Sequence, residues 1–328
     1  MKDNVKGRIL SGMRPTGRLH IGHYKGVLSN WVALQDRYEC FYMVADLHAL
    51  TSEYADTSAM QENIEEMVID WLACGLDPEK SVIFRQSQIK QHSELHLLLS
   101  MIVPLGWLTR CPTYKEQLKE IKDRDIHTYG FLGYPVLQAA DILIYKADTV
   151  PVGEDQLPHL ELSREIARRF NNFYGKVLVE PGALLTESPR VPGTDGRKMS
   201  KSYDNAIFLS DSEREIEKKV MSMFTDPQKI GLNDKGHPEG CVVFAFQQMY
   251  SGEIKRIEEQ CRAGKLGCVA DKKDLAKKVS DSLLKIREDR EKISSDKKIV
   301  REILAEGNKK AEAVAGKTMQ EIRRAMNL

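Results

Sequence analysis

Through its first 170 residues the chain alternates short apolar runs with stripes of helical period, and after residue 205 only the helical period remains. Gly7-Arg8-Ile9-Leu10-Ser11-Gly12 has the character of a short strand closed by glycine, and Ile21, Tyr24, Val27, Leu28, Trp31 and Leu34 then recur at helical spacing. Phe41-Tyr42-Met43-Val44-Ala45 is a compact apolar run, as in a strand covered on both faces. Met60, Ile64, Met67, Val68, Trp71 and Leu72 give the next stripe, stopped at Gly75 with Pro78 just beyond. Val82-Ile83-Phe84 and Thr149-Val150-Pro151-Val152 read as further strands. Helices are expected near 91–103 and 133–146, and from about Glu154 to Phe170, with Pro158 tolerated in a first turn. This alternation predicts an α/β fold, a parallel sheet wrapped by helices. Later segments read as helical only, at about 211–224, 242–250, 253–264, 271–304 and 308–327. The shift in composition near 195–205 sets the expected boundary, with units at 1–204 and 205–328.

Composition narrows the class. Apolar residues make up 41% and charged residues 30%, as in a soluble globular protein. No apolar run is long enough for a transmembrane helix, and the start at Met1 shows no apolar leader, so a cytoplasmic protein without membrane partners is expected. The net charge of +1 argues against a simple polyanion-coating protein. Residues 1–196 carry 21 basic and 26 acidic side chains, and residues 197–328 carry 28 and 22, so the second half suits a phosphate-bearing partner. Cys40, Cys74 and Cys111 lie in apolar surroundings and are expected as buried free thiols.

The turn between the first strand and first helix, Ser11 to His23, is where an open parallel sheet binds ligands. Gly12 and Gly17 let the backbone approach a ligand closely, and Gly22 leaves room for a flat base on the first helical turn. His20 and His23 are three apart, so both project from one face. Free N–H groups there favour an anion, and two imidazoles can donate hydrogen bonds that strengthen as charge develops. Lys198-Met199-Ser200-Lys201-Ser202 begins 175 residues beyond His23 and supplies two ammonium groups and two hydroxyls, with Arg197 a further cation. Gly193 and Gly196 leave that loop free to close on a triphosphate. Taken singly, these strings also suit two surface histidines and a solvated basic turn.

In this order and at this distance the two segments resemble the signature pair of class I aminoacyl-tRNA synthetases. Tyr134-Pro135-Val136-Leu137-Gln138-Ala139-Ala140-Asp141-Ile142 and Val150-Pro151-Val152-Gly153-Glu154-Asp155-Gln156 are similar to segments of the bacterial tryptophanyl-tRNA synthetases, and the resemblance covers nearly the whole chain. It implies a Rossmann-type catalytic domain, a helical anticodon-binding domain and a homodimer. The activity implied is formation of tryptophanyl-AMP from L-tryptophan and ATP, then transfer of tryptophan to tRNA(Trp).

By the resemblance, His20, His23, Lys115, Lys198 and Lys201 face the phosphates of ATP, and Mg²⁺ is shared among the phosphate oxygens without a protein metal cage. Arg14, Pro15, Thr16, Gly22, Gly153, Glu154, Asp155, Val191, Met199, Ser200 and Ser202 complete the nucleotide site. Asp155 also reads as the cap of the helix it precedes. Leu10, His48, Tyr134, Gln138, Asp141, Val150, Val152 and Gln156 are implied for tryptophan. Asp141 lies on an apolar helix face with Leu137 and Tyr145, where an unpartnered carboxylate costs heavily. The resemblance makes the indole N–H its partner, and a site built on such a bond rejects analogues lacking it by roughly 10⁴–10⁵-fold.

The chain also departs from the family pattern. Arg14 stands where some members carry Gln, and the stretch from Val191 to Lys198 is two residues shorter than in some. Cys241, Cys261 and Cys268 are similar to a subset that binds an iron–sulfur cluster on four cysteines, but the fourth position is Asp271, so no cluster is expected. A tyrosyl-tRNA synthetase, a small-molecule adenylyltransferase with the same turn, and a non-catalytic tRNA-binding paralogue are the alternative readings.

Overall fold

The computed structural model describes residues 6–120, 125–185, 191–231 and 233–328; Met1–Val5, from which the lack of a leader was read, lie outside it. Five strands form one sheet: β1 (Arg8–Met13), β2 (Glu39–Val44), β3 (Ser81–Arg85), β4 (Thr149–Val152) and β5 (Gly182–Leu185). Their order is β3-β2-β1-β4-β5 and all pairings are parallel. The connections from β1 therefore run one way to β2 and β3 and the other way to β4 and β5. A crevice must open at the carboxyl ends between β1 and β4, where the order reverses.

Neighbouring side chains on each strand enter opposite cores. Ile9, Tyr42, Val44 and Ile83 pack with Trp31, Ile64 and Trp71 on one face. Leu10, Phe41, Met43 and Phe84 pack with Leu143, Ile144 and Ile166 on the other. Both faces are covered, which explains why the strands read as unbroken apolar runs. Residues beyond 204 feed both cores, with Ile207, Phe246 and Leu283 in the first and Ala311, Ala315 and Met319 in the second.

Four expected strands are present, and β5 had no apolar signal because it is short and largely exposed. The expected break between helices near 304–308 is absent. Helices run Cys268–Ser294 and Lys297–Met326, and Gly307 lies inside the second. A Cβ on Gly307 would fall 1.8 Å from the Ile83 carbonyl oxygen. The glycine is there because the helix backbone rests on the β3 backbone, and Asn308 Oδ1 accepts the Arg85 N–H at 2.9 Å. The helix covers the outer edge of β3. Asp155 is not a helix cap: it sits in a 3₁₀ turn, Glu154–Gln156, with its carboxylate accepting from Gln156 Nε2 at 2.9 Å. The helix Leu157–Tyr174 follows, with Pro158 in its first turn. No helix among the described residues is long and apolar enough to cross a membrane.

Candidate active site

A cleft of about 390 Å³ opens at the carboxyl ends of β1, β2 and β4. Leu10, Arg14, His48, Tyr134, Gln138, Asp141, Val150, Val152, Gly153 and Gln156 line it, all expected from the sequence. Gly26, Trp31, Met43, Gln117 and His159 line it as well.

At its buried end the Asp141 carboxylate is 1% exposed. It accepts from His48 Nε2 at 2.7 Å, His92 Nδ1 at 2.6 Å and Gln86 Nε2 at 2.9 Å. Gln86 is in turn fixed, its Oε1 accepting the Leu47 N–H at 3.1 Å. His92 Nε2 meets the Tyr145 hydroxyl at 2.8 Å. Burial alone would raise the Asp141 carboxyl, but His92 and His48 outweigh it and hold the group down at about 2. The cleft thus ends in a fixed carboxylate charge, held by His48, His92 and Gln86 and still lining the cleft. Sequence reading missed His92 and Gln86 because nothing in either local string marks it as a partner of a residue some 50 positions away. The opposite wall is ordered by His159, which contacts the Thr113 hydroxyl at 2.6 Å and the Tyr134 hydroxyl at 3.3 Å. Burial pushes the His159 imidazole down to about 4.

The first signature segment opens the helix that starts at Ile21–His23 and continues through a π-helical stretch, Tyr24–Leu28. Its two imidazoles satisfy the backbone. His20 Nδ1 accepts the Gly22 N–H at 3.1 Å, and His23 Nδ1 accepts the His20 N–H at 3.2 Å. The rings lie 3.8 Å apart. Because each Nδ1 is an acceptor, each proton sits on Nε2, which is left as a donor. Burial first, and then the Lys201 ammonium, lowers His20 to about 4. Burial, His20 and Lys201 lower His23 to about 3. Both are therefore neutral donors at physiological pH.

The second segment folds against the first. A Cβ on Gly22 would lie 3.7 Å from Met199 Sδ, and Met199 and Val191 are buried in the core that holds Ile21. Lys201 Nζ donates to the Thr16 carbonyl at 3.1 Å, above the turn in which the Thr16 N–H donates to the Arg14 carbonyl. Burial lowers the Lys201 ammonium to about 8, against the pull of Asp70 and Glu53. The loop before it is built around Asn205, another residue the sequence did not announce. Asn205 Oδ1 accepts the Ser200 N–H at 2.8 Å, and its Nδ2 donates to Asp195 at 2.8 Å and to the Lys198 carbonyl at 3.1 Å. Lys198 itself is exposed, and Ser202 lies in the turn Lys201–Tyr203 with its side chain outside the described set. Pro15 is buried beside the turn, while Glu154 and Asp155 are exposed at the other rim.

Lys115 is exposed on the helix Pro112–Glu120 and does not line the cleft; Gln117 is that helix's contribution. Cys241, Cys261 and Cys268 are free thiols, and Burial and the neighbouring Cys241 raise the Cys261 thiol. Asp271, in the fourth position, is engaged by Gln247 Nε2 at 2.7 Å, so this donor set does not fit a four-thiolate cluster. Among the described residues, no three His, Cys, Asp or Glu side chains are placed to hold a metal ion.

Chemically, a cleft of this form offers an apolar slot ending in a fixed carboxylate, and neutral N–H donors and an ammonium beyond it. That suits an aromatic N–H group at one end and a polyphosphate at the other. Comparison with known proteins agrees. The family model of class I tRNA synthetases (W and Y) matches residues 2–284. A tryptophan–tRNA ligase of Thermotoga maritima is 55% identical, with 98% of this chain and 99% of that protein covered. One of Aquifex aeolicus is 49% identical, with 98% and 100% covered. The crystal structure of tryptophanyl-tRNA synthetase from Campylobacter jejuni complexed with ADP and tryptophan aligns with a TM-score of 0.89 at 34% identity, over 98% of this chain and 100% of that one. The chain belongs to the tryptophanyl-tRNA synthetases of class I.

Proposed function

We propose that the chain joins L-tryptophan to ATP, forming tryptophanyl-AMP and pyrophosphate, and then transfers tryptophan to tRNA(Trp). The observation that supports this reading is the buried, ionised Asp141 at the end of a cleft lined also by Arg14, with Lys201 of the second segment bonded to Thr16 two residues beyond it. The indole N–H is donated to Asp141, and Leu10, Val150 and Val152 cover the ring. Tyr134, Gln138 and Gln156 take the amino group. The tryptophan carboxylate then faces the α-phosphate and attacks it in line. His20 and His23 donate their Nε2 protons to phosphate oxygens, and Lys198 and Lys201 neutralise the departing pyrophosphate. ATP enters with its own Mg²⁺. Closure of the segment around Lys198 and Lys201 couples nucleotide binding to chemistry.

Residues 1–204 form the catalytic unit on this reading, and residues 205–328, with their basic excess, take the tRNA. The cytoplasm is where charged tRNA is used. A homodimer is supported by Leu97, Met101, Leu105 and Phe173, large apolar side chains of the α/β half that are left exposed. The test is ATP–pyrophosphate exchange with purified protein. Exchange with tryptophan, little with tyrosine and none without an amino acid is the expected result, and charging of tRNA(Trp) tests the second step. Tyrosine-dependent exchange overturns the assignment.

A further inference from the structure

The helix Cys268–Ser294 reaches back to the helix Met60–Ala73 through Arg290. The guanidinium is largely buried and donates to two carboxylates there, Asp70 and Glu66. Asp70 is 1% exposed, and its second oxygen accepts the Leu19 N–H at 3.1 Å. Leu19 precedes His20. On the other side the Leu19 carbonyl accepts the Leu209 N–H at 2.9 Å, and the Ile21 N–H donates to the Ile207 carbonyl at 3.0 Å. The backbone on either side of His20 is thus clamped between the 207–209 strand-like segment and Asp70, and Asp70 is held by Arg290. Every link is a directional bond between packed elements.

We propose that Arg290 is a positioning residue for adenylate formation: through Asp70 it sets the backbone at Leu19 and so the aim of His20 Nε2. A shift of the helix Cys268–Ser294 is then felt at the phosphates, although no residue of that helix lines the cleft. The inference rests on His20 facing the phosphates, as proposed above. The charged and titratable groups facing Asp70 are Arg290, Lys201 of the second segment, and Glu66 and Cys74 on its own helix. Burial pushes the Asp70 carboxyl up to about 6, with Arg290 first among the influences opposing it. Removing Arg290 leaves a buried carboxylate uncompensated, so it takes up a proton near neutral pH. A protonated Asp70 still offers an oxygen to Leu19 but no longer fixes its direction.

The test compares Arg290→Gln with the native full-length chain in tryptophan-dependent exchange. The variant's kcat is expected to fall about tenfold at about pH 7 and by less at about pH 8.5, where Asp70 ionises again, with KM for tryptophan within about twofold. The double variant Asp70→Asn with Arg290→Gln leaves no orphaned charge at position 70, and Glu66 keeps Lys297 at 3.9 Å; it is expected to be slow at both pH values, and it carries the test if the single variant does not fold. Melting temperature reports folding. A folded single variant with native kcat, a folded double variant with native kcat, or a loss equal at both pH values in the single variant overturns the proposal. Native chain without tryptophan-dependent exchange refutes the active-site reading instead.

Discussion

Lys201 Nζ donates a 3.1 Å hydrogen bond to the Thr16 carbonyl across 185 residues of chain. That bond joins the loop after the sheet to the turn after its first strand, two residues from Arg14, which lines the cleft. The ammonium spends its charge on a neutral carbonyl here, so it is free to move to a polyphosphate without losing an ion pair. Lys201→Ala is expected to lower exchange by about 10²–10³-fold while tryptophan binding, read by fluorescence titration, changes little.

The same lysine sets an alkaline limit. Burial lowers its ammonium from the ordinary lysine range to about 8, so the free chain loses this charge as pH rises through 8. ATP binding by calorimetry is expected to weaken between about pH 7 and 9. Lys201→Arg stays charged and is expected to flatten that decline. His20 and His23, lowered to about 4 and about 3, remain neutral, so they add no acid limb above about pH 5.

Asp141 is expected to dominate tryptophan affinity. Asp141→Ala removes the carboxylate and leaves His48, His92 and Gln86 without their shared acceptor, so KM for tryptophan should rise by about 100-fold or more. His92→Asn retains a donor in place of Nδ1 and is expected to stay within about tenfold of native; His92→Leu removes it and is expected to fall further. The linkage sign follows from a folded value of about 2 against an ordinary 3.8. The ionised group stabilises the fold above about pH 4, and that contribution is lost as pH falls toward 2. Denaturant melts across that interval, native against Asp141→Asn, measure it.

Gly22→Ala is expected to damage chemistry more than stability. Its Cβ would stand 2.9 Å from His20 Cε1 and Nδ1, so the imidazole has to turn away from the helix start. An exchange rate lowered about tenfold or more with a nearly native melting temperature is the expected outcome.

Gly307→Ala is expected to do the reverse. The added methyl favours a helix interior by about 1 kcal/mol, but it meets the Ile83 carbonyl, which is backbone and cannot swing aside. The steric cost wins, and a net destabilisation of about 2–3 kcal/mol, read as a lower melting temperature, is expected.

What the sequence disclosed divides along physical lines. The sheet was legible because strands buried on both faces, such as Phe41–Val44, must be continuously apolar. β5 was not, since an exposed edge needs no such pattern. Gly307 falls in the expected break between 304 and 308 because local propensity is all that a string conveys, whereas here a distant strand dictates the glycine. The signature histidines and lysines were visible as strings, and so was the odd carboxylate Asp141. Its partners Gln86 and His92, and Asn205 under the second loop, were hidden because their roles exist only once separate elements meet. Lys115, a position implied by resemblance alone, is exposed on the helix that gives Gln117 to the cleft.

The helix Lys297–Met326 lies over the outer edge of β3, more than 200 residues downstream of it. During translation β1, β2 and β3 can therefore pair long before their last cover exists. Until residues near Gly307 clear the ribosome, one ribbon of unpaired amides stays open to other nascent chains. Removing the helix Lys297–Met326 should therefore turn a folded enzyme into an aggregating one, read by light scattering, even though the proposed catalytic side chains are all still present.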